Sequence, residues 1–322
     1  MHPAFSVIFL TTLIGTGQGL FLALFSGQTY SAVNLLPSQH SSFYIIGSLL
    51  AVSLLIGGLI ASFFHLGHPE RAWRSASMWR TSWLSREVIV LPIAMGLVFF
   101  YGVFHWVNWE VDLFGNQLPG QITLIIGAMA SVAVFLLYLC TAMIYASIKF
   151  LQEWASSLTV LNYILLGGAS GFTLATAIAA YNAPTLVSFY GGWAIILTVA
   201  GLITRGLSLY RNANLKAIST VQTAIGVRHN QIQQKAMGMM GGSYNTREYF
   251  HGKTTAFLKS VKYIFLVLVF PVPVILLVAG MQADSVLLLL LAFTAQYVGL
   301  LFERWFFFAQ ANHPQNLYYQ TI

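Results

Sequence analysis

Four ionisable side chains stand close together in a chain that is otherwise poor in them: His65, Arg71, Arg74 and Glu87. They belong to the pattern His65-Leu66-Gly67-x-Pro69-x-Arg71-Ala72-Trp73, followed by Leu84-Ser85-x-Glu87. A histidine titrates near neutrality and can accept and return a proton at one site. A nearby carboxylate can relay that proton, and an arginine can stabilise negative charge that develops beside it. The set is suited to exchanging protons with a bound molecule whose charge changes. A second ionisable pair, Glu303 and Arg304, sits in an apolar stretch near the other end of the chain. No residue reads as a catalytic nucleophile or as a metal ligand.

The elements that hold these residues follow from composition. Of 322 residues, 57% are hydrophobic and 7% charged, and the mean hydropathy is +0.75. Soluble domains carry about 25% charged residues, so most of this surface cannot face water. Continuous apolar runs predict spans at 4–26, 42–66, 87–107, 121–148, 158–181, 186–209, 261–282 and 285–309. The expected fold is all-α: a single membrane domain over 1–322, built as a polytopic bundle of about eight transmembrane helices. Residues 4–26 read as a retained first span rather than a signal peptide. Alternating polarity, the mark of a membrane β-barrel, is absent. Glycines at 15, 17 and 19, at 57 and 58, and at 167, 168 and 171 suit close helix–helix contact.

Charge fixes an orientation. With eight spans, all 15 Lys and Arg fall on one side, in the 2–3, 4–5 and 6–7 connections and beside the C-terminal end. The opposite connections carry only Glu110, Asp112 and Asp284. The positive-inside bias then predicts cytoplasmic termini and a cytoplasmic loop 211–259. Leu215, Ile218, Val221 and Ile225 form a helical stripe in that loop, which Gly241-Gly242 ends. The loop is either a solvated connector or a docking surface for a partner. The net charge of +7 is thus a topology signal; it predicts contact with anionic membrane lipids rather than with nucleic acid.

The His-Leu-Gly-x-Pro-x-Arg-Ala segment with its Leu-Ser-x-Glu resembles the membrane-anchor subunit of the dimethyl sulfoxide reductase family. Gly299 to Arg304 is a second match, with Leu300 where the dimethyl sulfoxide reductase anchor has an acid and Glu303 beside Arg304 instead. The loop 211–259 and the tail ERWFFFAQANHPQNLYYQ look most like the sulfite-oxidising branch of that family. The resemblance implies an anchor in the bacterial inner membrane that links a quinone pool, ubiquinone or menaquinone, to partners docked on the cytoplasmic face. Those partners would be an iron–sulfur subunit and a molybdopterin catalytic subunit. The implied direction is sulfite oxidation to sulfate; the alternatives are a reductase that oxidises quinol and, from another class, a secondary transporter.

Within that frame His65, Arg71, Arg74, Glu87, Glu303 and Arg304 become candidates for quinone binding or proton relay. Each has a simpler role open to it. The arginines, with Arg80 and Arg86, can serve as topology anchors, and Glu87 can merely pair with one of them. Trp73, Trp79 and Trp83 suit an interfacial aromatic belt. Resident redox centres are not expected. Cys140 is the single cysteine, so no cysteine-ligated cluster forms. His65 and His105 are predicted at opposite ends of neighbouring spans, about 30 Å apart, which leaves no histidine pair for a haem.

Overall fold

A computed structural model describes residues 1–108, 121–216, 218–233, 235, 249–314 and 316. Its helices are α1 (Phe5–Ala32), α2 (Ser41–Phe63), α3 (Trp83–Val107), α4 (Gln121–Ala146), α5 (Ser157–Asn182), α6 (Val187–Ala213), a short α7 (Val221–Ile225), α8 (Thr255–Val269), α9 (Pro271–Gln282) and α10 (Val286–Ala309). Among the described residues, eight helical stretches are long and apolar enough to cross a membrane, α8 and α9 together forming the seventh. A bilayer core offers no water to backbone N–H and C=O groups, so each segment satisfies them internally as helix. Hydroxyl caps start several of them: Ser82 Oγ accepts from Ser85 N, Ser156 Oγ from Leu158 N, Thr254 Oγ1 from Phe257 N and Ser285 Oγ from Leu288 N.

The bundle is built around α1 and α5. These two spans are 72% and 78% buried, whereas the other six are 33–44% buried and turn apolar faces outward. Glycine makes the central contact possible. A Cβ on Gly171 would lie 2.1 Å from Gly19 C, and one on Gly19 would lie 2.3 Å from Gly167 O. Gly15 and Gly19 on α1, and Gly167 and Gly171 on α5, repeat at four-residue spacing and let the two backbones touch. Around this pair, α2 packs on α1, α6 on α5, α3 on α4, and α8 with α10.

The seventh span is broken at Phe270, where α8 stops and Pro271 begins α9. Pro273 has no N–H to offer the Val269 carbonyl four residues back. Gln296 Nε2 of α10 donates to that carbonyl at 3.3 Å and to Thr198 Oγ1 at 3.0 Å. The break is therefore satisfied by a side chain from a neighbouring helix.

Several boundaries differ from the sequence expectation. α1 runs to Ala32, and α3 starts at Trp83, which puts Glu87 inside the helix rather than at its first residue. Residues 69–78 form a 3₁₀ helix between α2 and α3. The proposed loop 211–259 is shorter than predicted, because α6 extends to Ala213 and α8 begins at Thr255. The stripe from Leu215 to Ile225 is not one helix either: only 221–225 is helical, closed by Gly226 at φ +74°. Gly241-Gly242, Glu110, Asp112 and the last six residues lie outside the described residues.

Candidate functional site

Glu87 occupies the second turn of α3 and is buried. Thr141 of α4 donates its hydroxyl to Glu87 Oε1 at 2.5 Å. Glu87 forms no ion pair among the described residues, so its recorded polar contact is a hydroxyl and not an arginine. Thr141 also lines an internal cavity of about 20 Å³, shared with Thr12, Gln18, Tyr163, Ser170 and Arg304. A cavity of that size with several polar walls suits one water molecule. Thr141 thus joins the α3 carboxylate to a polar space in the middle of the bundle.

Across that space lies a cluster of three buried charges. Arg304 sits 3.8 Å from the centroid of the Tyr163 ring and 3.3 Å from Glu303 Oε2. Glu303 Oε1 lies 2.8 Å from Arg205 Nε of α6. Arg205, Glu303 and Arg304 are 1%, 0% and 4% exposed, and their formal sum is one positive charge. Isolated charges are costly inside a membrane, so three together at one depth hold each other in place. Arg205 Nη2 has no hydrogen-bond partner among the described residues. The cluster therefore has positive charge and a free donor to offer an anionic group or a water.

The other predicted residues lie apart from this cluster. His65 follows the end of α2 and is exposed; its imidazole makes no hydrogen bond among the described residues. Partial burial holds its pKa below the ordinary histidine value, which favours the neutral imidazole. Arg71 and Arg74 are exposed on the 3₁₀ link, where Arg71 approaches Glu70 at 3.7 Å. Arg74, Arg80 and Arg86 each lie over the tryptophan beside or near them in sequence, at 5.6, 5.4 and 4.1 Å. That pairing is what an interfacial arginine–tryptophan belt requires.

Beside His65 the surface is hollowed. A groove of about 400 Å³ between α1 and α2 is lined by Phe5, Phe9, Leu13, Gly57, Ile60 and Phe64. Phe64, one of its lining residues, is the residue immediately before His65. Hence the six predicted residues fall into two groups: Glu87, Glu303 and Arg304 inside the bundle, and His65, Arg71 and Arg74 at its edge.

Sequence reasoning missed Arg205, Thr141 and Tyr163. Arg205 had a usable signal, since it stands alone in the apolar run LITRGLSLY within a predicted span. Thr141 and Tyr163 had none, because hydroxyls are common in membrane helices and only the packing of α4 and α5 aims these two at one cavity. A second polar group lies at the other end of α3. His105 stacks on Tyr44 at 4.5 Å, Tyr101 donates to Gln28 Oε1 at 2.8 Å, and Gln28 Nε2 donates to Thr123 Oγ1 at 2.6 Å. Leu20, Phe21 and Leu24, all fully buried, fill α1 between Gln18 and Gln28. About 15 Å of helix therefore separates the two polar groups.

Comparison with known proteins adds to this geometry. Residues 1–319 match the family model described as DMSO reductase anchor subunit (DmsC). One relative, a sulfite dehydrogenase subunit of Allochromatium vinosum, is 59% identical over 324 residues, covering 100% of both chains. No solved structure shows a significant match.

Proposed function

The chain belongs to the dimethyl sulfoxide reductase anchor-subunit family, and from that premise we propose that it carries electrons between an iron–sulfur partner and membrane quinone during sulfite oxidation. It is a membrane-anchor subunit; the quinone, the substrate of the complex and the docking face are the parts proposed. The observation that carries the reading is the buried Glu87, linked by Thr141 to the water-sized cavity beside Arg304. An anchor that served only to hold its partners would have no use for a buried carboxylate coupled to a polar cavity.

Quinone is here a substrate, and the fit divides it between two places. The internal cavity is far too small for a quinone ring, so it suits water. The α1–α2 groove is apolar and open to the bilayer, and its residue Phe64 immediately precedes His65, which suits the ring and the start of an isoprenoid tail. The neutral form of His65, which its partial burial favours, can donate one N–H to a quinone oxygen and accept a proton on its other nitrogen. Glu87 and the cavity would exchange protons with the interior side of the site. Arg304 and Arg205 would bias the region toward the reduced, more negative ligand. Apolar packing around Leu20, Phe21 and Leu24 supports proton exchange at the basic end, which we propose faces the cytoplasm.

The test compares two assays on the assembled complex. His65→Ala should lower quinone-linked turnover by about 10²–10⁴-fold, the usual size for loss of one acid–base group. Turnover with an artificial dye, which takes electrons from the partners directly, should persist. Arg80→Ala should leave both rates unchanged. Equal losses in the two assays, or an equal loss in Arg80→Ala, would remove His65 from the quinone step.

A further inference from the structure

A second apolar groove adjoins the first along Phe5 and Phe9 of α1 and runs toward α8 and α10. It holds about 300 Å³ between α1, α8 and α10, and its walls include Phe5, Phe9, Phe257, Val261, Leu301 and Trp305. All three helices bring the same end to it: the start of α1, the start of α8 and the last turns of α10. That is the basic end of the bundle. Trp305 meets the Phe257 ring edge-on at 5.4 Å, so the groove has a rigid aromatic wall near the membrane surface.

What distinguishes this groove is the charge over its mouth. Phe257 and Val261 stand four residues apart on α8 and share one face, and Lys253 precedes the N-cap Thr254 of that helix. The Lys253 ammonium lies 5.8 Å from the Phe257 ring centroid. Lys253 is exposed and forms no ion pair among the described residues. The positive end of the α8 helix dipole lies beside it. Two other lipid-facing grooves lack this feature. One has no charged side chain among its lining residues, and the other, near Trp106, is at the end without Lys or Arg. An occupant needs an apolar chain for the aromatic trough and a negative group for the ammonium.

From this geometry we infer that the α1–α8–α10 groove binds one anionic phospholipid, an acyl chain lying against Phe9, Phe257 and Leu301 and the phosphate beside Lys253. The bound lipid would fill the space between the first and last spans at this end of the bundle. The two grooves share Phe5 and Phe9 of α1, but the phosphate contact falls to Lys253, just before α8, which the quinone reading does not use, so Lys253→Glu tests the lipid site separately.

Native mass spectrometry of the purified full-length chain tests it, with release from mixed micelles holding equal phosphatidylglycerol and phosphatidylcholine. The wild-type chain should retain one phosphatidylglycerol, favoured over phosphatidylcholine by about fivefold, the size expected for one lysine near a surface. Lys253→Glu should abolish the preference without unfolding the chain, since the side chain is exposed. Leu301→Trp, which fills the trough, should lower retention of both lipids. Lys216→Glu makes the same charge change away from the groove and should leave the preference intact. Equal retention of the two lipids by the wild-type chain, an unchanged preference in Lys253→Glu, or an equal loss in Lys216→Glu would overturn the inference.

Discussion

At the scale of single residues the strongest commitments concern the buried charges. Arg205→Ala leaves Glu303 in the bundle with a single arginine near it, at 3.3 Å. Breaking a buried pair from one side typically costs about 3–5 kcal/mol, because the remaining charge cannot reach water. Denaturation of the purified chain in detergent should show a loss of that order for Arg205→Ala. Glu70→Ala, which removes an exposed partner of Arg71, should change stability by less than about 1 kcal/mol. Similar effects for the two substitutions would mean that the three charges are better hydrated than their burial implies. Thr141→Val has a different expected signature. It keeps volume and removes the hydroxyl that Glu87 accepts from, so quinone-linked turnover should fall by about tenfold or more while the dye assay stays unchanged. A loss that the two assays share would make Thr141 a packing residue only.

At the scale of the helices, two joints can be broken selectively. The α1–α5 contact depends on absent side chains. Gly171→Ala would put a methyl 2.1 Å from Gly19 C, and backbone cannot move aside as a flexible side chain can. Overpacking of this kind costs at least about 1–3 kcal/mol, so Gly171→Ala should lower the melting temperature or prevent accumulation of the folded chain. Gly206→Ala on α6 meets nothing within 4 Å and serves as the matched comparison. The broken seventh span depends on one glutamine. Gln296→Leu removes the donor to Val269 O and leaves that carbonyl buried without its recorded side-chain partner. The expected cost is about 1–2 kcal/mol, read in the same denaturation assay. If it is silent, the α8–α9 break is held by α10 packing alone.

At the scale of the whole molecule the open commitment is orientation. Eight spans put all 15 Lys and Arg of the sequence on one predicted side, so reporters fused after Gly242 should be cytoplasmic and those fused after Asn116 periplasmic. The reverse result would place the partner subunits outside and undo the proposed direction of proton uptake. Much of this architecture was already decided by the sequence. Length and continuity of apolar runs set the number of spans, because a bilayer core of fixed thickness accepts only helices of about that length. Charge placement predicts the sidedness, and the His65–Glu87 pattern pointed to the family. What the sequence left undecided was which polar groups meet. Hydropathy reports transfer into lipid, and it is nearly blind to rotation of a helix about its own axis. Thus Arg205 read as one more basic residue at a span end, although packing turns it inward to Glu303 at 2.8 Å. Glu87 and Arg304 stand 217 positions apart in the chain. Only the close approach of α1 and α5, with α4 and α10 laid against them, brings Thr141 and Arg304 to one water-sized cavity. The same packing leaves His65 outside, next in sequence to Phe64 of a different groove.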